Sequence, residues 1–411
     1  MKEKIVFIES NTTGTGEIFG KYAKEMGVTP VLITNDKKRY SSFFEKNFEI
    51  IIADTNDKEK ILKICKNILL KDKIIGIWSS SQFYIFTAAY ISEKLNLPGP
   101  PSSAIKNSMN KFLQKEILKD KKVPISDYKK VKSEKEAEDA AEKIVLPVIV
   151  KPVLSSGSEG VKLCKTLSEV SLHAKDLLKI KNNSRNQKNP SYIIVEEYLK
   201  GEEYSVETIS KDKINIIGIT KKYLSPEPFF IEMGHDYPAN IKDVTREEII
   251  NITKKSLKAL NLNWGPTHTE LRLTKDGPKI IEINPRLAGG MIPKLVELSQ
   301  GVDLIRETLN IVCGKELKIS KKKNISYTSI RFIIPKKDGK IKKIHGLEEA
   351  KKIKYVKDVF IYEKIKTFHR LNRDFTDRIG HVISNSNDIK TTQKSVNDAL
   401  KKINIEMMNN G

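Results

Sequence analysis

At 411 residues the chain is long enough for two or three domains, each with its own core. No apolar run approaches the ~20 residues of a membrane span, and "MKEKIVFIES" turns polar too soon for an export signal; with three scattered cysteines (Cys65, Cys164, Cys313) suited to reduced thiols, a cytoplasmic protein is expected. The net charge of +22 comes from lysines spread between Lys2 and Lys402, and the densest basic stretch carries no aromatics to stack on bases, so a solvated surface is expected rather than a nucleic-acid partner.

Residues 1–100 alternate apolar runs (4–8, 31–34, 48–53, 74–78) with helical patterns, a βαβα succession that predicts a doubly wound parallel sheet. In the first helix Ile18, Phe19, Tyr22, Ala23 and Met26 recur at helical spacing, and Gly27 stops it. The stretch before it, "NTTGTGEIFG" at 11–20, imitates a glycine-rich phosphate cradle between strand and helix, with Asp36 in the place of a ribose-binding acid. Its spacing departs from the dinucleotide fingerprint, since Gly14 and Gly16 are followed by Gly20. "LPGPPSS" at 97–103 reads as a linker.

A helical stretch follows at 103–119. "LPVIVKPVLSSGSEGVKLC" reads as strand, Gly/Ser loop, strand, and a helix is predicted over about 168–180. "KNNSRNQKNP" is a polar loop, expected to be exposed and mobile. A run of strands typical of an antiparallel sheet comes next ("YIIVEEYL", "EEYSVETIS", "INIIGIT"), then a helix at 246–260, then "THTELRL" and "KIIEINP". Residues 325–411 read as a small α+β appendage with a final helix near 391–402. The expected boundaries are 1–100, 101–195, 196–324 and 325–411.

Chemistry concentrates in three segments. If the hairpin around "KDGP" turns about Asp276, then Glu270 opposes Glu282 and His268 opposes Asn284, all on one face of the sheet. Two carboxylates at that spacing repel unless a cation lies between them, and hard oxygen donors suit Mg²⁺. In "VIVKPVLSSGSEGV", Lys151 would place a point charge on a phosphate, and a loop with Gly157 and Gly160 would form a flexible flap bearing backbone N–H groups; an ordinary hairpin loop would read the same. "VEEYLKGEEYSVE" is either a surface hairpin or a hinge whose backbone reads an adenine, with an acid placed for ribose hydroxyls.

In this order the three segments resemble the ATP-grasp superfamily, and the resemblance covers the whole chain. It implies an α/β and α+β multidomain fold: an N-terminal doubly wound parallel sheet, an ATP-grasp fold of two α+β subdomains, and the C-terminal α+β appendage. It also implies ATP and two Mg²⁺ ions as cofactors, with Mn²⁺ as a substitute. By the resemblance Lys111 and Lys151 touch the nucleotide phosphates, and Ser155, Ser156, Gly157, Ser158 and Gly160 belong to the loop that folds over them. In "EEYL", Glu196, Glu197 and Leu199 fall at the adenine-reading hinge, and Glu203 matches the ribose acid. Glu270, Glu282 and Asn284 match the magnesium ligands, and Arg286 the cation that steadies the transferred phosphoryl group and the following oxyanion.

"FFIEMGHDYPA", "NPRLAGGMIPKLVELSQGVDLI", "TTGTGEIFGKYAKEMG" and "DRIGHVIS" narrow the likeness to bacterial L-amino-acid ligases that make dipeptides. That likeness implies an amino-acid pocket lined by Glu232 and His235, with His235 near the amino group, and catalytic roles for Arg286, His235 and Glu232. Gly289 and Gly290 offer no side chain to narrow the pocket, which predicts room for a bulky substrate. The partners implied are small amino-acid or carboxylate substrates, with a homodimer as a family-level expectation. An acceptor on a carrier protein or secondary metabolite, and a biotin-carboxylase-like reaction, stand as alternatives. With phosphates assigned to Lys151 and the flap, the 11–20 loop is expected to face the shared active site as a lid or substrate-side wall.

Overall fold

The computed structural model describes residues 1–12, 15–40, 42–362, 368–371 and 373–408, with 42 and 43 by backbone alone; Gly14 lies outside the described residues. Strands β1 (Glu3–Ile8), β2 (Thr29–Thr34), β3 (Glu49–Ile52) and β4 (Lys73–Trp78) form a parallel sheet in the order β3-β2-β1-β4. Ile5, Val6, Phe7 and Ile8 are all fully buried, as a central parallel strand covered on both faces requires. The strand order reverses beside β1, which opens a crevice at the C-terminal ends of β1 and β4. Gly16 opens the helix Thr15–Glu25 for a reason other than a turn: a Cβ there would collide with the carbonyl of Asn11.

The stretch predicted as one helix is two, Ser102–Met109 and Lys111–Asp120. Asn110 breaks it with an extended backbone, and its side chain caps the second helix by accepting from the N–H groups of Phe112 and Leu113 (3.0 and 3.2 Å). Lys111 therefore starts a helix.

Strands β5 (Tyr128–Val131), β6 (Val148–Pro152), β7 (Lys162–Cys164) and β8 (Ile193–Glu197) form a second, antiparallel sheet, β5-β8-β6-β7, packed by the helices Glu134–Ile144 and Leu167–Lys179. The flap joins β6 to β7. The polar loop at 181–190 is tied to itself, with the Asn183 side chain accepting from the N–H groups of Arg185 and Gln187 (2.9 and 3.0 Å). It also reaches the N-terminal domain, where Gln187 Nε2 donates to the Phe83 carbonyl (3.1 Å).

The largest sheet draws on β9 (Glu202–Lys211), β10 (Lys213–Leu224), β11 (Glu232–Tyr237), β12 (Trp264–Thr274), β13 (Gly277–Asn284) and β14 (Tyr327–Ile333). Strands β15 (Gly339–His345), β16 (Val356–Ile361), β17 (Phe368–His369), β18 (Gly380–Ser386) and β19 (Asn404–Met407) complete the chain. The eight-stranded order is β13-β12-β9-β10-β11-β14-β18-β16, so the C-terminal α+β segment continues the central sheet; β17-β15-β19 is a separate small sheet. One core runs from the N-terminal domain into this sheet: Trp78 meets Trp264 at 6.2 Å, and Gly76 lets β4 pack against the Val312 backbone.

Strand β13 is an edge, yet its groups are not left open. The buried Gln114 side chain donates to the Ile283 carbonyl and accepts from its N–H, each at 2.8 Å, standing in for a neighbouring strand. Gln114→Ala leaves both backbone groups unpaired in a dry site, and a loss of roughly 2–4 kcal/mol in denaturant unfolding is expected. A loss under about 0.5 kcal/mol would show that water or a shifted strand replaces the side chain.

Candidate active site

The floor of the site follows from strand register. On one face of the sheet three cross-strand rows line up: Asn284–His268–Glu207, Glu282–Glu270–Ser205–Thr220, and Arg272–Glu203–Lys222–His235. The pairings expected for the β12–β13 hairpin are present, by a different route. The turn is two residues long, with Thr274 opposite Gly277, and a bulge between Ile280 and Glu282 restores Glu282 to the face of Glu270. A second bulge, at Met233, makes Glu232 and His235 share a face, which strict alternation along β11 forbids.

These side chains bound a cleft of about 900 Å³, including its open mouth, between the four-stranded and eight-stranded sheets. One end is apolar, with Ile149, Val161, Leu224 and Phe230. Lys111, Lys151, Glu270, Glu282, Asn284 and Arg286 line the cleft too, and along the strands Leu224 stands two residues beyond Lys222, the partner of Glu203, on the side away from the Glu282–Glu270 and Asn284–His268 rows. Ser155, Ser156, Gly157, Ser158, Glu196, Glu197, Leu199 and Glu232 also line it. Gly160, His235, Gly289 and Gly290 do not.

Charges on the floor are paired with care. Lys222, 2% exposed, sits 3.0, 2.8 and 2.9 Å from Glu203, Glu232 and Glu270. Burial would raise Glu270, but Lys222 first and then His268 hold its carboxyl well below the usual range. Glu232 is likewise held low against burial, by Lys222 and Arg378. His268 is bracketed by Glu207 (2.8 Å) and Glu270 (3.2 Å); these outweigh the cost of burial and raise it to about 9. Lys111 bridges Glu282 Oε1 (3.0 Å) and the Ser155 carbonyl of the flap (2.8 Å). Lys151 and Lys115 both clasp Glu196, at 2.5 and 2.9 Å, and bring it down to about 2 although burial opposes this.

His235 is fully buried, and neither ring nitrogen has a hydrogen-bond partner. Burial lowers it to about 3, so its ring is neutral. Gly290 is glycine because it lies against that ring: with φ of 57°, any Cβ there would stand 2.5 Å from His235 Nε2.

Several residues of the site were given no role by the sequence. Lys222 and Lys115 are unexceptional in a lysine-rich chain, and Arg378 lies within "DRIGHVIS" with no role attached to it. Arg272 donates to the Leu199 carbonyl (2.8 Å) and to Glu203 Oε2 (3.2 Å), and lies over the rings of Tyr198 and Phe230. Gln82 accepts from Arg286 Nε at 2.6 Å, from the crevice at the end of β4. The described residues of the 11–20 stretch are not among those that line the cleft; Ser10 and Asn11 bond to Ser80, two residues from Gln82.

Among the described residues no cluster of three or more His, Cys, Asp or Glu side chains is spaced to hold a metal. The donor set Glu270, Glu282 and Asn284 nonetheless fits a hard cation, since Asn284 Oδ1 is buried without a hydrogen-bond partner beside two carboxylates. Nor is any helix among them long and apolar enough to cross a membrane.

Residues 144–294 match the ATP-grasp domain, and residues 331–408 match the L-amino acid ligase C-terminal domain 2. The uncharacterized protein y4rH of Sinorhizobium fredii is 32% identical over 93% of this chain and 79% of that protein. The L-arginine-specific L-amino acid ligase of Bacillus subtilis is 26% identical over 75% of this chain and 74% of its own. The crystal structure of an L-amino acid ligase from Bacillus licheniformis shares the fold, with a TM-score of 0.81, 23% identity and 99% of both chains covered. The chain belongs to the ATP-grasp carboxylate–amine ligases, a family that binds ATP and typically Mg²⁺. Within that class its C-terminal domain and its relatives set it among enzymes like the L-amino acid ligases.

Two buried histidines on this floor titrate in opposite directions. His235, lowered from 6.5 to about 3, contributes stability that is present above pH 6.5 and lost as pH falls toward 3. His268, raised from 6.5 to about 9, contributes stability that is present below pH 6.5 and lost as pH rises through 9. In NMR titration, the His235 ring is expected to stay neutral between pH 5 and 8 and the His268 ring to lose its proton near pH 9. A midpoint close to 6.5 for either ring contradicts the pairing described.

Proposed function

We propose that the enzyme joins the carboxylate of an amino acid to an amine, another L-amino acid, through an acyl phosphate, releasing ADP and phosphate. The observation that supports this best is the order of groups along the sheet face that floors the cleft: apolar Leu224, the Glu203 carboxylate, then the Glu270–Glu282 pair with Lys111 on it, then Asn284. That order matches base, ribose, phosphates and reacting carboxylate.

In the first step a carboxylate oxygen attacks the γ-phosphorus of ATP, and the bond to the β-phosphate oxygen breaks. The amine nitrogen then attacks the acyl carbon, the carbon–oxygen bond to phosphate breaks, and the amine loses a proton to solvent. The chain's contribution is positioning and charge neutralisation. Lys111 and Lys151 contact the phosphates, exchanging Glu282 and Glu196 for them, and Ser155, Ser156, Gly157, Ser158 and Gly160 cover them against water. Glu196, Glu197 and Leu199 form the hinge beside the base, and Glu203 holds the ribose. Glu270, Glu282 and Asn284 would hold two Mg²⁺ ions, with Mn²⁺ as a substitute; the metal neutralises phosphate charge when bound. Arg286, steadied by Gln82, meets the oxyanion. Glu232, anionic between Lys222 and Arg378, attracts the substrate ammonium. His235, neutral and buried, shapes the wall behind Glu232 instead of taking a proton. A Cβ at Gly289 would meet nothing within 4 Å, and a bulky substrate would find room there.

The test is a screen of amino-acid pairs with ATP and Mg²⁺, read by phosphate release and by mass spectrometry of the products. Phosphate release that requires a pair, with one condensed product per phosphate, is expected. Glu282→Ala is expected to lower kcat/KM by at least about 10²-fold, as loss of a transition-state electrostatic contact does. Release that depends on bicarbonate, or full activity in Glu282→Ala, contradicts the reading.

A further inference from the structure

A short 3₁₀ turn, Phe375–Asp377, lies between β17 and β18 and touches the cleft at two places. At one, the Phe375 ring rests on Gly157 of the flap, so closely that a Cβ on Gly157 would collide with it. At the other, Arg378 Nη2 donates to Glu232 Oε2 at 2.7 Å, with its guanidinium 4.3 Å from the centre of the Phe332 ring. Phe375 opens the turn and Arg378 follows it with an extended backbone, so the two contacts are three residues apart.

The turn is braced by side chains, whereas the flap is tied within itself by two backbone turn bonds, Glu159 N–H to the Ser156 carbonyl (3.3 Å) and Val161 N–H to the Ser158 carbonyl (3.1 Å). Asp374 accepts from the N–H and hydroxyl of Thr376 (2.7 and 2.6 Å), Asp377 accepts from the Arg373 N–H (3.1 Å), and Ile379 N–H enters the sheet at the Ile333 carbonyl (2.9 Å). The flap is built of small residues, with positive φ at Gly157, Ser158 and Gly160. Outside contacts to its backbone come from Lys111, whose N–H donates to the Val153 carbonyl (3.1 Å) and whose Nζ donates to the Ser155 carbonyl, and from His173 at Gly160. Charge does not hold it to the turn: Glu159 on the flap, raised first by burial, is raised further by Asp374. A loop of this kind needs an external apolar contact to favour its closed state.

We propose that the Phe375–Arg378 turn is a latch: Phe375 holds the flap at Gly157 while Arg378 fixes Glu232, so that flap closure and the amine side of the cleft move as one unit. Both are positioning residues. The inference rests on the flap being the cover of a nucleotide.

The test uses the full chain with Mg·AMP-PNP as the probe. Calorimetry measures nucleotide binding, and hydrogen exchange measures protection of the 153–161 peptide at saturation. In the unaltered enzyme the nucleotide is expected to slow exchange of that peptide about tenfold or more, in Phe375→Ala less than about twofold, and Phe375→Tyr is expected to restore the protection. Gly157→Ala, which sets a methyl against the same ring, reaches the contact from the other side and is expected to lose protection likewise. Equal protection in the unaltered enzyme and Phe375→Ala, with both binding the nucleotide, overturns the latch and leaves the nucleotide site intact. Failure of the unaltered enzyme to bind Mg·AMP-PNP overturns the nucleotide site and the latch with it.

Discussion

The site is governed by the crowding of carboxylates on a single sheet face. Register places Glu203, Glu207 and Glu270 on neighbouring positions of β9 and β12, the β13 bulge brings Glu282 to the same face, and the β11 bulge adds Glu232. Like charges at cross-strand distances destabilise a sheet unless cations interleave with them. The cations present are Lys222 at the centre, Arg272 and Arg378 at the rim, Lys111 from the helix above, and protonated His268. Each of Glu232 and Glu270 is thereby kept ionised in a buried place. In that state it can exchange a side-chain cation for a metal or a substrate ammonium without first losing a proton.

That arrangement requires every part of the chain. The N-terminal sheet supplies Gln82 to Arg286, the four-stranded sheet supplies Lys151 and the flap, and the central sheet supplies the floor. The C-terminal segment returns to add Arg378. Gln114 shows the same economy, since one buried amide both closes the edge of β13 and holds the strand that carries Glu282 and Asn284.

Local chemistry was legible in the sequence and distant pairing was not. The βαβα succession follows from apolar periodicity, but counting outward from Asp276 reaches the right β12–β13 partners only because the one-residue bulge offsets the displacement of the turn. The two bulges do not follow from the sequence, because a bulge answers to the neighbouring strand and not to its own residues. Asn110 could have been read as a cap within the helical stretch. Arg378 and Glu232 lie 146 residues apart, and Arg286 and Gln82 lie 204 apart. No local pattern marks one lysine among so many as the ion at the centre. Gly290 resembled open space in the sequence; in the fold that space is filled by the His235 ring.

The central claim is that this floor drives condensation through an acyl phosphate, and oxygen transfer measures it most directly. With ¹⁸O in the carboxylate of the amino acid that supports turnover, one ¹⁸O atom is predicted in each phosphate released. Phosphate free of ¹⁸O, or label carried into AMP, would contradict it.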